Sequence, residues 1–226
     1  FFEPWAITNK KSGSHFKVFS PFWKACLEAG LPPDRWSPPP RIIGPEKWPE
    51  RSSLPDAGPT PSPEMDTLWH PGEAGALKML DNFLENSLIG YADNRDIPGG
   101  VTTSRLSPHL RWGEISPQRV YAALGDDRHE TRDGRKILAE VGWREFSYYL
   151  LYHYPDMQDT CLQSKFDAFP WRDAPDDLEA WKRGETGYPI VDAGMRELAC
   201  TGYMHNRTRM IAASFLTKHL LIDWRA

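Results

Sequence analysis

A chain of 226 residues with 40% hydrophobic and 26% charged side chains is long enough to bury an ordinary core in one or two domains. Its 27 Lys and Arg against 31 Asp and Glu leave a formal charge of −4, which excludes a surface coated in basic charge for nonspecific nucleic-acid binding and leaves room only for a local basic patch. Cys26, Cys161 and Cys200 are widely spaced and odd in number, so they read as reduced core thiols rather than a disulfide framework or a zinc site; the absence of a bilayer-length apolar run or a signal peptide leads us to expect a soluble cytoplasmic protein.

In chain order, Ser20 is placed to cap a short helix, with Pro21 at its first position and Gly30 as its stop. Residues 1–31 form a first segment, which the resemblance given below implies to be the end of an α/β domain. Prolines then recur through Pro38–Pro40 and Pro59–Pro63, a composition that disfavours helix interior and sheet ladder alike, so residues 32–67 read as an extended connector. A second domain, residues 68–226, follows. Its first stripe is Ala74, Leu77, Leu80, Phe83, Leu84 and Leu88 at helical spacing. Ser107-Pro108 and Ser116-Pro117 mark further helix starts, and amphipathic runs cover Ile137–Tyr152, Val191–Cys200 and His205–Asp223. Strand-like alternation is scarce, so the fold class is mainly α. The chain starts without Met and stops at Asp223-Trp-Arg-Ala226 directly after an apolar run, and is expected to be a piece of a longer protein.

Four constellations stand out. Tyr91 to Arg95 precede a hydroxyl-rich loop, Thr103-Ser-Arg-Leu-Ser107, that runs into a helix start, where free N–H groups favour an anion. Read alone, Ser107 is simply a helix cap. Glu140, Trp143 and Arg144 are spaced three and four apart, which brings a carboxylate, an indole and a guanidinium to one mouth or makes a surface ion pair beside a core Trp. Asn206 and Met210 share a helix face while Arg207 projects elsewhere, where it can reach a phosphate. Finally, Trp171 and Trp224 belong to a set of 10 tryptophans, most of which serve as core and interface bulk. Phosphate-loop, H-E-x-x-H, G-x-S-x-G and C-x-x-C motifs are missing.

Two longer stretches, Trp181-Lys-Arg-Gly-Glu-Thr-Gly-Tyr-Pro-Ile-Val-Asp-Ala-Gly-Met-Arg196 and Thr201-Gly-Tyr-Met-His-Asn-Arg207, resemble the flavin-binding region of the DNA photolyase and cryptochrome family. The resemblance is closest to class I cyclobutane pyrimidine dimer photolyases, and it extends over almost the whole chain. It implies a helical FAD-binding domain preceded by the tail of an antenna-binding α/β domain. Tyr91, Thr103, Ser104, Arg105, Leu106, Ser107 and Arg209 would hold FAD. Glu140, Trp143, Asn206 and Met210 would form the lesion pocket, with Arg95, Arg144 and Arg207 on the DNA. Trp171 and Trp224 would be the outer and middle members of the electron-transfer chain that reduces the flavin. The implied partner is DNA containing cyclobutane dimers, bound by a monomer, and the longer protein would carry a folate or deazaflavin antenna. Where (6-4) photolyases place histidines this chain has Asn206 and Met210, and where many relatives have Trp it has Ile137 and Tyr203. A cryptochrome-like receptor and an inactive truncated piece are the alternatives.

Overall fold

In the computed structural model, which describes residues 1–9, 13–31, 41, 44 and 62–226, the described chain is helical and contains no strand. The first helix, α1 (Phe19–Ala29), starts before Ser20: extended Val18 is its N-cap, no side chain caps it, and Gly30 ends it. Pro21 thus sits in the third helical position. That is tolerated because the first four N–H groups of a helix have no partner within it. The connector proposed for residues 32–67 lies mostly outside the described residues. Its last part begins α2 (Pro63–Leu68), capped by the Ser62 hydroxyl, which accepts from Met65 N.

The stripe expected after Leu68 forms α3 (Glu73–Asn86), with Ala76, Leu80 and Phe83 buried. Four short helices follow: α4 (Tyr91–Asn94), α5 (Ser107–Trp112), α6 (Pro117–Leu124) and α7 (Asp126–His129). Ser116 caps α6 as its Ser-Pro pattern predicts. Ser107 does not cap α5. It is the first residue inside that helix and Leu106 takes the cap position, so the matching pattern carries a different geometry there.

The longest element, α8 (Arg132–His153), organises the packing. On one side the N-terminal segment and α1 bury Ile7, Phe16, Phe22 and Cys26 against Phe146 and Tyr149. The Tyr149 hydroxyl donates to Ile7 O (3.0 Å) and accepts from Phe16 N (2.9 Å), which satisfies a buried phenol. Elsewhere, Leu80, Leu106, Val120 and Val141 form a second cluster, and Phe83, Tyr91, Leu124 and Ile137 a third. Each such side chain contributes roughly 1.5–3 kcal/mol on burial. Gly142 lets α1 approach: a Cβ there would lie 2.6 Å from the Trp23 ring.

Beyond α9 (Pro175–Arg183), α10 (Pro189–Thr201) and α11 (Asn206–Ser214) pack closely through Gly194, Val191, Met195, Met204 and Ala212. Asp192 accepts from Thr186 N (2.8 Å), the Thr186 hydroxyl (2.6 Å) and Gly187 N (2.9 Å), holding the turn that feeds α10. Those donors, the Thr186 hydroxyl foremost, keep its carboxyl below the usual range. The run expected to be helical through Asp223 stops sooner. After α11 one π turn spans Phe215–His219, and Leu221, at φ 57°, turns its carbonyl to accept from Arg172 N at 2.7 Å. Of the three free cysteines only Cys26 is a core thiol, its pKa pushed up by burial to about 12; Cys161 is half-buried and Cys200 exposed. Among the described residues no helix is long and apolar enough to cross a membrane.

Candidate functional site

Three of the sequence constellations meet at one cavity of about 390 Å³. Tyr91 and Arg95 reach it from α4, Thr103 to Ser107 from the hydroxyl loop, Glu140 and Arg144 from α8, and Asn206 and Arg209 from α11. Ile137 and Tyr203, the two positions that depart from the family pattern, line it as well.

Tyr91 is held by a group that sequence reasoning missed. Asp133, in the first turn of α8, accepts from Gly90 N (3.0 Å) and Ala92 N (2.7 Å), so one carboxylate brackets Tyr91 and fixes the start of α4. Its only sequence signal is an acid in a helix first turn, a common feature. Burial pushes the Tyr91 phenol well above its ordinary value, although the nearby Arg95 opposes the shift.

Arg95 was expected at a DNA-facing rim, but its side chain forms part of the wall, with 7% of the residue exposed. Its guanidinium pairs with Glu140 and, at 3.1 Å, with Asp96, because a cation this buried needs compensating anions. Lys136 also approaches Glu140 Oε1 at 3.7 Å. Arg207 forks onto Asp96 (2.9 and 2.8 Å) rather than projecting freely, and this pairing, with help from Arg95, draws the Asp96 carboxyl down to about 2. Buried His205 links the two sides of the cavity. Its Nδ1 accepts from Arg207 N (3.1 Å) and its Nε2 donates to Arg95 O (3.0 Å), a pattern that the neutral ring alone satisfies.

The loop departs from the simple helix-terminus picture. With six residues, α5 aligns few peptide dipoles, so the anion-seeking groups at its start are mainly hydroxyls and guanidiniums. Ser104 Oγ accepts from Leu106 N at 3.5 Å, Arg105 adopts φ 51°, and Arg209 donates to Met204 O at 3.3 Å.

Two lesion-pocket candidates stand outside the cavity lining. Trp143 does not share the mouth with Glu140: it stacks on Phe19 at 3.8 Å and is 47% exposed. Met210 is exposed, its sulfur facing Arg207 at 3.7 Å. Their helical spacing was legible, whereas the partner that captures Trp143 comes from α1, over a hundred residues away in sequence. Trp171 and Trp224 come together as lining of a second cavity of about 710 Å³.

A family model described as the FAD binding domain of DNA photolyase matches residues 137–226. A deoxyribodipyrimidine photo-lyase of Agrobacterium fabrum is 46% identical over 222 residues, which are 95% of this chain and 46% of that protein. The crystal structure of a bacterial class III photolyase from Agrobacterium tumefaciens superposes with a TM-score of 0.89 at 45% identity, covering 99% of this chain and 48% of that one. The chain belongs to the photolyase/cryptochrome family. Cryptochrome-2 of Arabidopsis thaliana is also similar, 37% identical over 242 residues, 99% of this chain and 39% of that protein. The chain therefore spans about half the length of the curated relatives it matches. The donor set fits the dinucleotide named by the family model. Hydroxyls of Thr103, Ser104 and Ser107 and cations of Arg105 and Arg209 suit a diphosphate, and Leu106, Val120, Ile137 and Val141 offer apolar walls.

Proposed function

We propose that this chain binds FAD in the cavity between α4, α5, α8 and α11, and acts in light-driven splitting of cyclobutane pyrimidine dimers in DNA, as a deoxyribodipyrimidine photo-lyase. The observation that carries the reading is the convergence of the hydroxyl loop, Arg105 and Arg209 with Glu140 and Asn206 on one cavity. Bound and reduced, FAD supplies a light-excited electron donor. Thr103, Ser104, Arg105 and Ser107 would hold its phosphates, Leu106 and buried Tyr91 would supply wall, and Arg209 would contact the flavin.

Glu140 presents a lesion acceptor. Its Oε1 is occupied by Arg95 and Lys136, which leaves Oε2 to accept an imide N–H from a pyrimidine extruded from the duplex. The Asn206 amide can donate and accept along the same edge. Exposed Met210, on the helix that carries Asn206, supplies apolar surface to the flipped dimer, and Arg144, on the cavity lining, supplies positive charge for the backbone on an acidic protein. Trp171 and Trp224, on one cavity, would pass electrons from an external reductant toward the oxidised cofactor. The substrate is DNA carrying dimers, met by a monomer.

The test loads the purified chain with FAD, removes free ligand, photoreduces it, and illuminates it with oligothymidylate containing dimers. Recovery of thymine absorbance is expected. Retained, reducible flavin with dimers left intact would overturn the repair reading in favour of a blue-light receptor, and no retained flavin would overturn the assignment of the cavity.

A further inference from the structure

The hydroxyl loop is latched by a residue that the functional reading leaves without a task. Tyr203 sits in the turn between α10 and α11, on the cavity wall. Its phenolic oxygen lies 3.2 Å from the Thr103 hydroxyl, a contact joining positions 100 apart in sequence. Its ring lies under the Arg105 guanidinium, 5.1 Å from carbon to centroid. Thus the Thr103 hydroxyl contact and the Arg105 ring contact end on one tyrosine, and Arg105 is a non-glycine residue at φ 51°. A backbone in that region persists only where its surroundings hold it.

Tyr203 is itself firmly seated. The Thr201 hydroxyl accepts from Tyr203 N (3.1 Å) and lies 3.2 Å from Tyr203 O, while Thr201 O accepts from Trp69 Nε1 at 2.7 Å. The Trp69 ring stands 6.2 Å from that of Tyr203. The tyrosine therefore reaches from a braced turn to a loop under conformational tension.

We propose that Tyr203 is a positioning residue for flavin binding: its hydroxyl and ring hold Thr103 and Arg105 in the conformation that receives the diphosphate. The inference rests on the flavin reading above. Pre-ordering the loop removes an entropy cost that binding would otherwise bear. A phenol suits the task because it can donate to or accept from a hydroxyl, whereas an indole N–H only donates.

The experiment compares FAD and riboflavin binding to the whole chain by flavin fluorescence, in the parent, Tyr203→Phe, Thr103→Val and the double variant. Riboflavin has the ring but no phosphates, so it reports the rest of the cavity. Expected is a loss of FAD affinity of about threefold to tenfold in Tyr203→Phe, the span of one neutral hydrogen bond. Riboflavin affinity and the unfolding midpoint of the flavin-free chain should stay unchanged. The double variant should bind FAD no more weakly than the worse single variant, because both remove the same contact. Undiminished FAD affinity in Tyr203→Phe overturns the proposal, as does an equal loss for riboflavin or a lowered midpoint, either of which makes Tyr203 a structural residue. Thr103→Val reads the same latch from the other end should Tyr203→Phe fail to fold. Failure of the parent to bind FAD removes the flavin reading itself and this proposal with it.

Discussion

Gly142→Ala probes the contact that seats α1 on α8. The added Cβ would meet Trp23 Cε3 at 2.6 Å and Cδ2 and Cζ3 at 2.8 Å, about 1 Å inside an ordinary carbon contact of roughly 3.5–4.0 Å. Two effects oppose each other. Alanine in a helix interior gains roughly 0.5–1 kcal/mol over glycine, and over-packing costs roughly 1–3 kcal/mol. Over-packing should win, because the obstruction is a fused ring system rather than a flexible chain end, and Trp23 packs against two buried clusters at once. The net expectation is a destabilisation of about 0.5–2 kcal/mol, read by urea unfolding at constant m-value. In a Trp23→Leu background the same substitution should become stabilising by roughly 0.5–1 kcal/mol, exposing a coupling of about 1–3 kcal/mol. Phe19 of α1 stacks on Trp143, so the indole emission should shift alongside. If Gly142→Ala stabilises equally in both backgrounds, the close approach of α1 to α8 is wrong.

Removing the Asp133 clamp by Asp133→Ala frees Gly90 N and Ala92 N; the chain should lose about 1–3 kcal/mol, the scale of a helix cap plus a charged hydrogen bond, and FAD retention should fall with it. Asp96 is drawn down to about 2 from an ordinary 3.8 by Arg207 and Arg95. A depressed carboxyl stabilises the fold fully above its unfolded pKa, and that contribution disappears as pH falls through the folded one. The stability gap between the parent and Asp96→Asn should therefore be flat above about pH 5 and shrink below pH 4, with a carboxyl-carbon NMR midpoint near 2; an ordinary midpoint would refute the pairing. Glu140→Gln deprives Arg95 of its carboxylate and a pyrimidine of its acceptor, and should weaken binding of dimer-containing oligothymidylate by roughly tenfold to a hundredfold, with FAD spectra unchanged.

Much of this fold was legible in the chain itself. Helical periodicity located α3, α8 and α10, and Ser116-Pro117 marked α6, because local propensity, capping and amphipathic spacing act within a few residues. Residue types at the cavity were equally readable: Tyr91, the hydroxyl loop, Glu140 and Asn206, each singled out in the sequence, line one cavity. Other features depended on groups distant in sequence. The Asp133 clamp on α4, the burial of Arg95 between Glu140 and Asp96, and the Arg207 fork on Asp96 are pairings across 41 to 111 residues, or between charges whose solvation depends on what packs over them. Trp143 left the predicted mouth because Phe19 offers it a ring to stack on, and the last helical run ends before Leu221, whose carbonyl accepts from Arg172 N. Periodicity determines which face of a helix is apolar. Only the tertiary structure decides which distant group meets each polar or aromatic side chain, because desolvation and pairing are properties of the assembled neighbourhood.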